Sequence, residues 1–173
     1  MKKLLLILLI ACTIQAMGQK KVKTGIIYKE HPYIETVRRL ARLYEQGDAE
    51  ALAKMYADTA KIYGMTRYSV DTSVVAQLSV PPSKSLAEAK AGWQHVFENW
   101  EHIKMKEIGE ASGLEYTHSP FTVQSFWLFT LVNRKTKKVA KVEMVLFAQF
   151  NKSGKIGTQI EFYDPASLIA ASK

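Results

Sequence analysis

The chain has 173 residues, of which 24 are Lys or Arg and 16 are Asp or Glu, so its formal net charge is +8. A single cysteine excludes an intrachain disulfide framework and a cysteine-based metal cluster. The basic residues form no stripe interleaved with aromatic residues, and we therefore expect no nucleic-acid partner.

The N-terminus has the features of a secretory signal peptide. Two lysines precede an apolar run over residues 4–11, and the small residues Ala16 and Gly18 precede Gln19. We expect cleavage after Gly18, which makes residues 1–18 a signal peptide and places the mature protein in the periplasm or outside the cell. The apolar run is much shorter than the about 20 residues of a membrane span. A lipoprotein signal that ends at Cys12 is an alternative, and it predicts a lipid anchor on that residue.

Residues 19–30 have no clear periodicity and are interpreted as a flexible N-terminal tether. A single domain over residues 31–168 and a short tail over residues 169–173 follow. The domain begins with residues that recur at spacings of three and four, namely Ile34, Val37, Ala41 and Tyr44, and they predict an amphipathic helix that ends at Gly47. Asp48 is suited to cap a second, shorter helix with Leu52, Ala53 and Tyr56 on its face, and a short strand is predicted over residues 60–65.

The second half of the domain changes from helical to strand periodicity. Ser85 and Glu88 form a capping-box pattern that opens a helix with Trp93 on its apolar face. Beyond residue 101 the apolar period becomes two. We predict strands over residues 102–109, 121–133, 138–151 and 155–163, with tight turns at residues 135–136 and 153–154. Helices followed by an antiparallel meander predict an α+β fold.

Two stretches resemble a known superfamily. YEQGDAEALAKMYADTAKIY, residues 44–63, is similar to the N-terminal part of nuclear transport factor 2-like proteins, and GKIGTQIEFYD, residues 154–164, resembles their closing strand. The chain is identified as a bacterial exported member of the SnoaL-like, polyketide cyclase-like group. The resemblance implies a cone-shaped, curved antiparallel sheet with helices packed on its concave face and a cavity between them. The superfamily includes isomerases, dehydratases, hydrolases, cyclases and proteins that only bind.

The two predicted turns fix the register of the last three strands. They pair Ser125 with Leu146 and Trp127 with Met144, and then Leu146 with Glu161 and Met144 with Tyr163. These residues, together with Val123, Ala148 and Gln159, share one face of the sheet, called here the inner face. The opposite face, called here the outer face, carries Phe126, Leu128, Val145, Phe147, Ile156, Ile160 and Phe162.

The inner face combines apolar residues with a few polar ones, which is typical of a ligand cavity. We predict a ligand site formed by Tyr63, Trp93, Ser125, Trp127, Met144, Gln159 and Tyr163. Glu161 is the candidate acid or base, because the resemblance implies that SnoaL-like closing strands often carry His and Asp at the positions of Gln159 and Glu161. Gly64 is a departure, since ketosteroid isomerase-like sequences carry an Asp just after the first strand.

Three functions follow from these patterns. The first is an exported protein that binds a small, apolar molecule, and the second is an isomerase, lyase or cyclase that uses Glu161. The third is a protein-interaction module. The apolar outer face predicts a homodimer, since a large exposed apolar patch is rare in a monomer. We expect no metal and no cofactor, because no histidines have metal-ligand spacing and no glycine-rich phosphate loop is present.

Overall fold

A computed structural model describes residues 24–66 and 82–173. The predicted signal peptide, Cys12, residues 19–23 of the tether and most of the loop before Ser85 lie outside the described residues. The strands are β1 (Gly25–Tyr28), β2 (Tyr56–Thr66), β3 (Trp100–Tyr116), β4 (Phe121–Asn133), β5 (Val139–Phe150) and β6 (Ile156–Tyr163). The helices are α1 (Pro32–Gln46), α2 (Ala49–Ala53), α3 (Leu86–Asn99) and α4 (Ala166–Ser172).

The strands form one curved sheet in the order β1-β3-β4-β5-β6-β2. Four neighbouring pairs are antiparallel, whereas β2 runs parallel to β6, so the sheet is mixed rather than wholly antiparallel. No hairpin joins β2 to β6, because α3 and three strands separate them in the chain, and the hairpin constraint on direction is therefore absent. The predicted α+β fold is confirmed.

The predicted register of β4, β5 and β6 is confirmed. Ser125 lies opposite Leu146, which lies opposite Glu161. The first turn is wider than predicted, since the last pair of β4 and β5 is Val132 with Val139. The Asn133 side chain accepts hydrogen bonds from the backbone N–H groups of Lys135 and Thr136, at 3.0 Å each. The register is unchanged because the centre of the turn lies where the sequence placed it.

One outer-face residue was misplaced. Ile156 is completely buried, and it pairs with Phe150 after a register shift next to Gln149. Such an irregularity adds a residue to one strand and reverses the alternation beyond it. Ile156 therefore belongs to the core, while the remaining predicted outer-face residues keep their side.

The first three helices begin where the sequence predicted, but α2 is shorter than predicted, because Tyr56 lies in β2 and not on the face of this helix. His31 caps α1 through its Nδ1 atom, which accepts from the N–H of Tyr33 at 3.2 Å. The helix ends at Gly47, whose φ of 71° favours glycine. Asp48 caps α2 through a 2.9 Å bond from the N–H of Ala51, and Ser85 and Glu88 form the predicted capping box on α3.

The helices bury their apolar faces against the inner face of the sheet. The core that results includes Ile34, Val37 and Leu40 of α1, Leu52 of α2 and Trp93 of α3, packed with Val123, Trp127, Leu146 and Ala148 of the sheet. The inner face is therefore the side of the sheet on which a site between sheet and helices can form.

Two short elements lie outside the predicted pattern. Strand β1 lies within the stretch assigned to a tether, and it pairs with β3 from Gly25 opposite Tyr116 to Tyr28 opposite Gly113. Helix α4 includes residues assigned to the tail, and it buries Ala171 against a second core cluster with Trp100 and Leu131. Neither element has a strong periodic pattern, because β1 exposes three consecutive residues and α4 is only seven residues long.

Candidate functional site

A cavity of about 200 Å³ lies between the inner face of the sheet and the helices. Its apolar wall includes Leu40, Leu52, Ile62, Met105, Val142 and Leu146. Five aromatic side chains also line it, namely Tyr44, Tyr56, Trp93, Phe129 and Tyr163. Among the described residues, its polar side chains other than the phenols are Lys84, Gln159 and Glu161. The cavity is thus a mostly apolar chamber with a few polar groups.

Five of the eight predicted site residues line this cavity. They are Trp93, Met144, Gln159, Glu161 and Tyr163. Trp127 and Ser125 are on the predicted face, but they are only 3% and 0% exposed, covered by neighbouring core side chains. The indole N–H of Trp127 donates to Ser125 Oγ at 2.9 Å, so the two residues satisfy each other within the core. Both were wrongly placed in the cavity wall.

Tyr63 is the third residue that the sequence misplaced. Its neighbours in β2, Ile62 and Gly64, line the cavity. Because successive side chains of a strand point to opposite faces, the Tyr63 side chain lies on the other side of the sheet.

Hydrogen bonds link three side chains in series, from the core to the cavity. The hydroxyl of Tyr56 donates to Gln159 Oε1 at 2.5 Å, and Gln159 Nε2 donates to Glu161 Oε1 at 2.5 Å. Tyr56 begins β2, and the other two residues lie on the neighbouring strand β6. The phenol fixes the orientation of the amide, because it occupies the amide oxygen and turns the NH₂ group toward the carboxyl.

Glu161 is electrostatically unusual for a carboxylic acid. Burial raises its pKa above the ordinary value, while the hydrogen bond from Gln159 and the positive charge of Lys84 oppose the rise. Lys84 is solvent-exposed, so its charge is partly screened. A carboxyl whose pKa is raised toward neutrality is suited to exchange protons with a bound molecule.

The tyrosines of the cavity are neutral hydrogen-bonding groups. Burial raises the pKa of Tyr44, Tyr56 and Tyr163, and the negative charge of Glu161 raises each of them further. The hydroxyls of Tyr44 and Tyr163 make no hydrogen bond to any other residue within 24–66 and 82–173. The Tyr44 ring is held edge-on against Phe97 and Phe129, with centroid distances of 5.0 and 5.4 Å. These two phenols are available to a ligand.

Sequence reasoning missed Tyr44, Tyr56 and Lys84 as cavity residues. The two tyrosines were assigned to the apolar faces of the first two helices, and both assignments overlooked their hydroxyls. A phenol on an otherwise aliphatic helix face is the signal that was available, since a buried hydroxyl needs a partner. Lys84 lies directly before the capping serine, in a stretch without periodicity.

The described part of the chain contains no group of three or more His, Cys, Asp or Glu residues placed to hold a metal ion. No helix within residues 24–66 and 82–173 is both long enough and apolar enough to cross a membrane.

Solved structures of low sequence identity share this architecture. PrhC from Penicillium brasilianum aligns with a TM-score of 0.63 and 11% identity over 83% of this chain and 87% of its own. BvnE pinacolase from Penicillium brevicompactum aligns with a TM-score of 0.60 and 10% identity, over 80% and 90%. IdmH from Streptomyces antibioticus, a candidate polyketide cyclase, aligns with a TM-score of 0.60 and 14% identity, over 82% and 99%.

A Catenulispora acidiphila protein with a ketosteroid isomerase-like fold, solved in complex with trimethylamine, aligns with a TM-score of 0.59 and 12% identity. It covers 83% of this chain and 94% of its own. No protein-family model and no curated protein matches the sequence. Similarity at these identities is a similarity of fold. The chain therefore has the nuclear transport factor 2-like fold of the SnoaL-like and ketosteroid isomerase-like proteins, as its sequence predicted.

Proposed function

We propose that the protein binds a small, largely apolar molecule in the cavity between the sheet and its helices. The observation that carries this proposal is the chamber itself, in which apolar and aromatic side chains surround the carboxyl of Glu161, which accepts from Gln159, and the hydroxyls of Tyr44 and Tyr163, which have no hydrogen-bond partner among the described residues. Ligand sites are typically concave and apolar with a few orienting polar groups.

The size of the cavity limits the size of the ligand. Its volume of about 200 Å³ exceeds the ~150 Å³ of a protein cavity that holds benzene, and it is smaller than the ~300 Å³ at which pockets for drug-sized molecules begin. A single ring with a short side chain fits this range. The pinacolase and the candidate polyketide cyclase among the structural neighbours support small-molecule chemistry in this fold.

Gly92 on α3 offers a direct test, because it lines the cavity and a Cβ added there meets no atom within 4 Å. We expect the wild type to bind 2-phenylethanol with a Kd on the order of 1 mM, a modest affinity for nine non-hydrogen atoms. Gly92→Leu should weaken binding at least about tenfold, because its side chain enters the space of the ligand. Titration calorimetry measures both values.

Ala91→Leu is the matched control, since Ala91 is the preceding residue of the same helix and is exposed. It should bind the probe like the wild type. Equal binding by the wild type and Gly92→Leu would show that the cavity is not the site.

A second candidate function is proton transfer by Glu161, in an isomerase, lyase or cyclase reaction. The observation that favours it is a carboxyl with a raised pKa, held by an oriented amide in an apolar chamber. Phenylacetone in D₂O is a suitable probe, because its α-protons exchange when a base removes them. Catalysed exchange by the wild type should fall about a hundredfold or more in Glu161→Gln, and proton magnetic resonance measures the rate. Exchange at the same rate in the variant would exclude Glu161 as the base.

We propose that the protein is exported and begins at Gln19. The small residues at positions 16 and 18 support cleavage there. N-terminal sequencing of the exported protein should give Gln19 as the first residue. A lipidated Cys12 at the N-terminus would show instead that the lipoprotein signal is used.

We propose further that the outer face forms a homodimer. Phe126, Val145, Phe147 and Ile160 are only half-buried, and Phe162 is 43% exposed. Phe147 and Phe162 contact each other edge to face with a centroid distance of 6.1 Å, so the aromatic surface spans β5 and β6. A second copy of the chain would cover this surface by an isologous contact.

A further inference from the structure

The carboxyl of Glu161, at the polar end of the cavity, has only one hydrogen-bond donor among the described residues. Glu161 Oε1 accepts from Gln159, and no other residue within 24–66 and 82–173 donates to either oxygen. Lys84 is the one cation that lines the cavity among these residues, and it is exposed and forms no ion pair with Glu161 at 4 Å or less. A buried carboxylate usually has a hydrogen-bonded cationic partner. Among residues 24–66 and 82–173, no cation fills the partner position beside Glu161, and this position suits a ligand.

The surroundings of this carboxyl suit an organic cation. Tyr44, Tyr56, Trp93, Phe129 and Tyr163 bring five aromatic rings to the wall of the same chamber. Aromatic rings attract cations through their π-electrons, most strongly where water is excluded. The chamber is otherwise apolar, so a hydrated inorganic cation finds few oxygen ligands there, whereas an ammonium group on an apolar body finds both an anion and hydrophobic walls.

We infer that the ligand of this cavity is an amphipathic amine, with its ammonium group beside Glu161 and its hydrocarbon ring against the apolar wall. This inference rests on the proposed function and names the class of ligand. An ammonium N–H would donate to the free oxygen of Glu161, and the hydroxyls of Tyr44 and Tyr163 are acceptors for the remaining N–H groups. A neutral alcohol of the same shape lacks the charge and two of the donors.

The test compares two probes of matched size, 2-phenylethylamine and 2-phenylethanol, on the full mature chain. The amine is protonated throughout the range from pH 5 to 8, because aliphatic ammonium groups have pKa values near that of lysine. At pH 8 we expect the amine to bind at least about tenfold more tightly than the alcohol, the scale of one charge-assisted hydrogen bond. Titration calorimetry measures both affinities.

The preference for the amine should depend on pH and on Glu161. Tyr44 on α1, Tyr56 on β2 and Tyr163 on β6 face the carboxyl as neutral phenols, and Lys84 lies before α3. Glu161 is therefore the group of the cavity that gains negative charge as the pH rises through its own raised pKa. The preference should increase with pH in the wild type and be absent in Glu161→Gln at every pH. Glu143→Gln, which removes an exposed carboxylate of β5, is the control and should keep the preference.

The outcomes separate the two proposals. Equal or tighter binding of the alcohol at pH 8 would overturn the amine assignment and leave the cavity as a binding site. A preference for the amine that persists in folded Glu161→Gln would also overturn it. No binding of either probe to the wild type would overturn both proposals. If Glu161→Gln does not fold, the wild type still tests the proposal, because the preference for the amine should be lost once the pH falls below the pKa of this carboxyl. A preference that persists after the carboxyl is protonated contradicts its role.

Discussion

Replacing Gln159 by leucine is expected to destabilise the folded protein by about 2–5 kcal/mol. Gln159 is 2% exposed, and its amide joins Tyr56 to Glu161 through two hydrogen bonds of 2.5 Å. Leucine has a similar volume but neither donor nor acceptor. The Tyr56 hydroxyl would lose its partner in the core, and the carboxyl of Glu161 would lose its donor, at about 1–3 kcal/mol for each buried group left unsatisfied. Denaturant unfolding of both proteins measures the difference in the free energy of unfolding.

A double-mutant cycle separates this effect from simple repacking. In the Gln159→Leu background, Tyr56→Phe should recover about 1–2 kcal/mol, because it removes the hydroxyl that lost its acceptor. In the wild-type background the same Tyr56→Phe change should be destabilising. If Tyr56→Phe costs the same in both backgrounds, then the hydrogen bond between Tyr56 and Gln159 does not contribute to stability.

Phe147→Glu is expected to convert the proposed homodimer into a folded monomer. Phe147 lies in the middle of the outer face, where it contacts Phe162 of β6 and pairs with Ile160. In an isologous dimer each substitution occurs twice across the symmetry axis. Two carboxylates would then be buried without partners, each at a cost of several kcal/mol, so the dissociation constant should rise at least about a thousandfold. Sedimentation velocity at about ten to a hundred micromolar protein measures the state, a range at which mass action favours a micromolar dimer.

Gln94→Glu adds the same charge on an exposed position of α3, and it should leave the dimer intact. A wild type that is already monomeric at these concentrations would contradict the dimer. It would leave the outer face as a surface for a different protein, the third function considered for this chain. Unchanged melting of Phe147→Glu at low concentration would confirm that the substitution affects association rather than folding.

The sequence by itself determined helices α1 and α3 and the register of the central strands. The apolar residues of α1 recur at helical spacing, and its end is fixed by Gly47, so local chemistry defines the element. The pairing of Ser125, Leu146 and Glu161 followed from two turn centres and from the period of two in a strand. These features depend on residues that are close together in the chain, so they can be predicted without knowledge of the tertiary structure.

Only the tertiary structure decided which inner-face residues line the cavity. Trp127 and Tyr163 are in the same cross-strand row, yet Trp127 is 3% exposed in the core and Tyr163 lines the chamber. Alternation along a strand gives the face on which a side chain lies. It does not give the neighbour that covers the side chain, because that neighbour comes from a helix elsewhere in the chain.

The hydrogen-bonded chain at the site was likewise a product of tertiary structure. Tyr56 and Gln159 are separated by 103 positions in the sequence, and they meet because β2 joins the edge of the sheet parallel to β6. No turn links these two strands, so neither spacing nor periodicity predicts their contact. The sequence therefore determined that Glu161 points inward, whereas the packing of β2 and the helices determined its partner, its burial and the direction of its pKa shift.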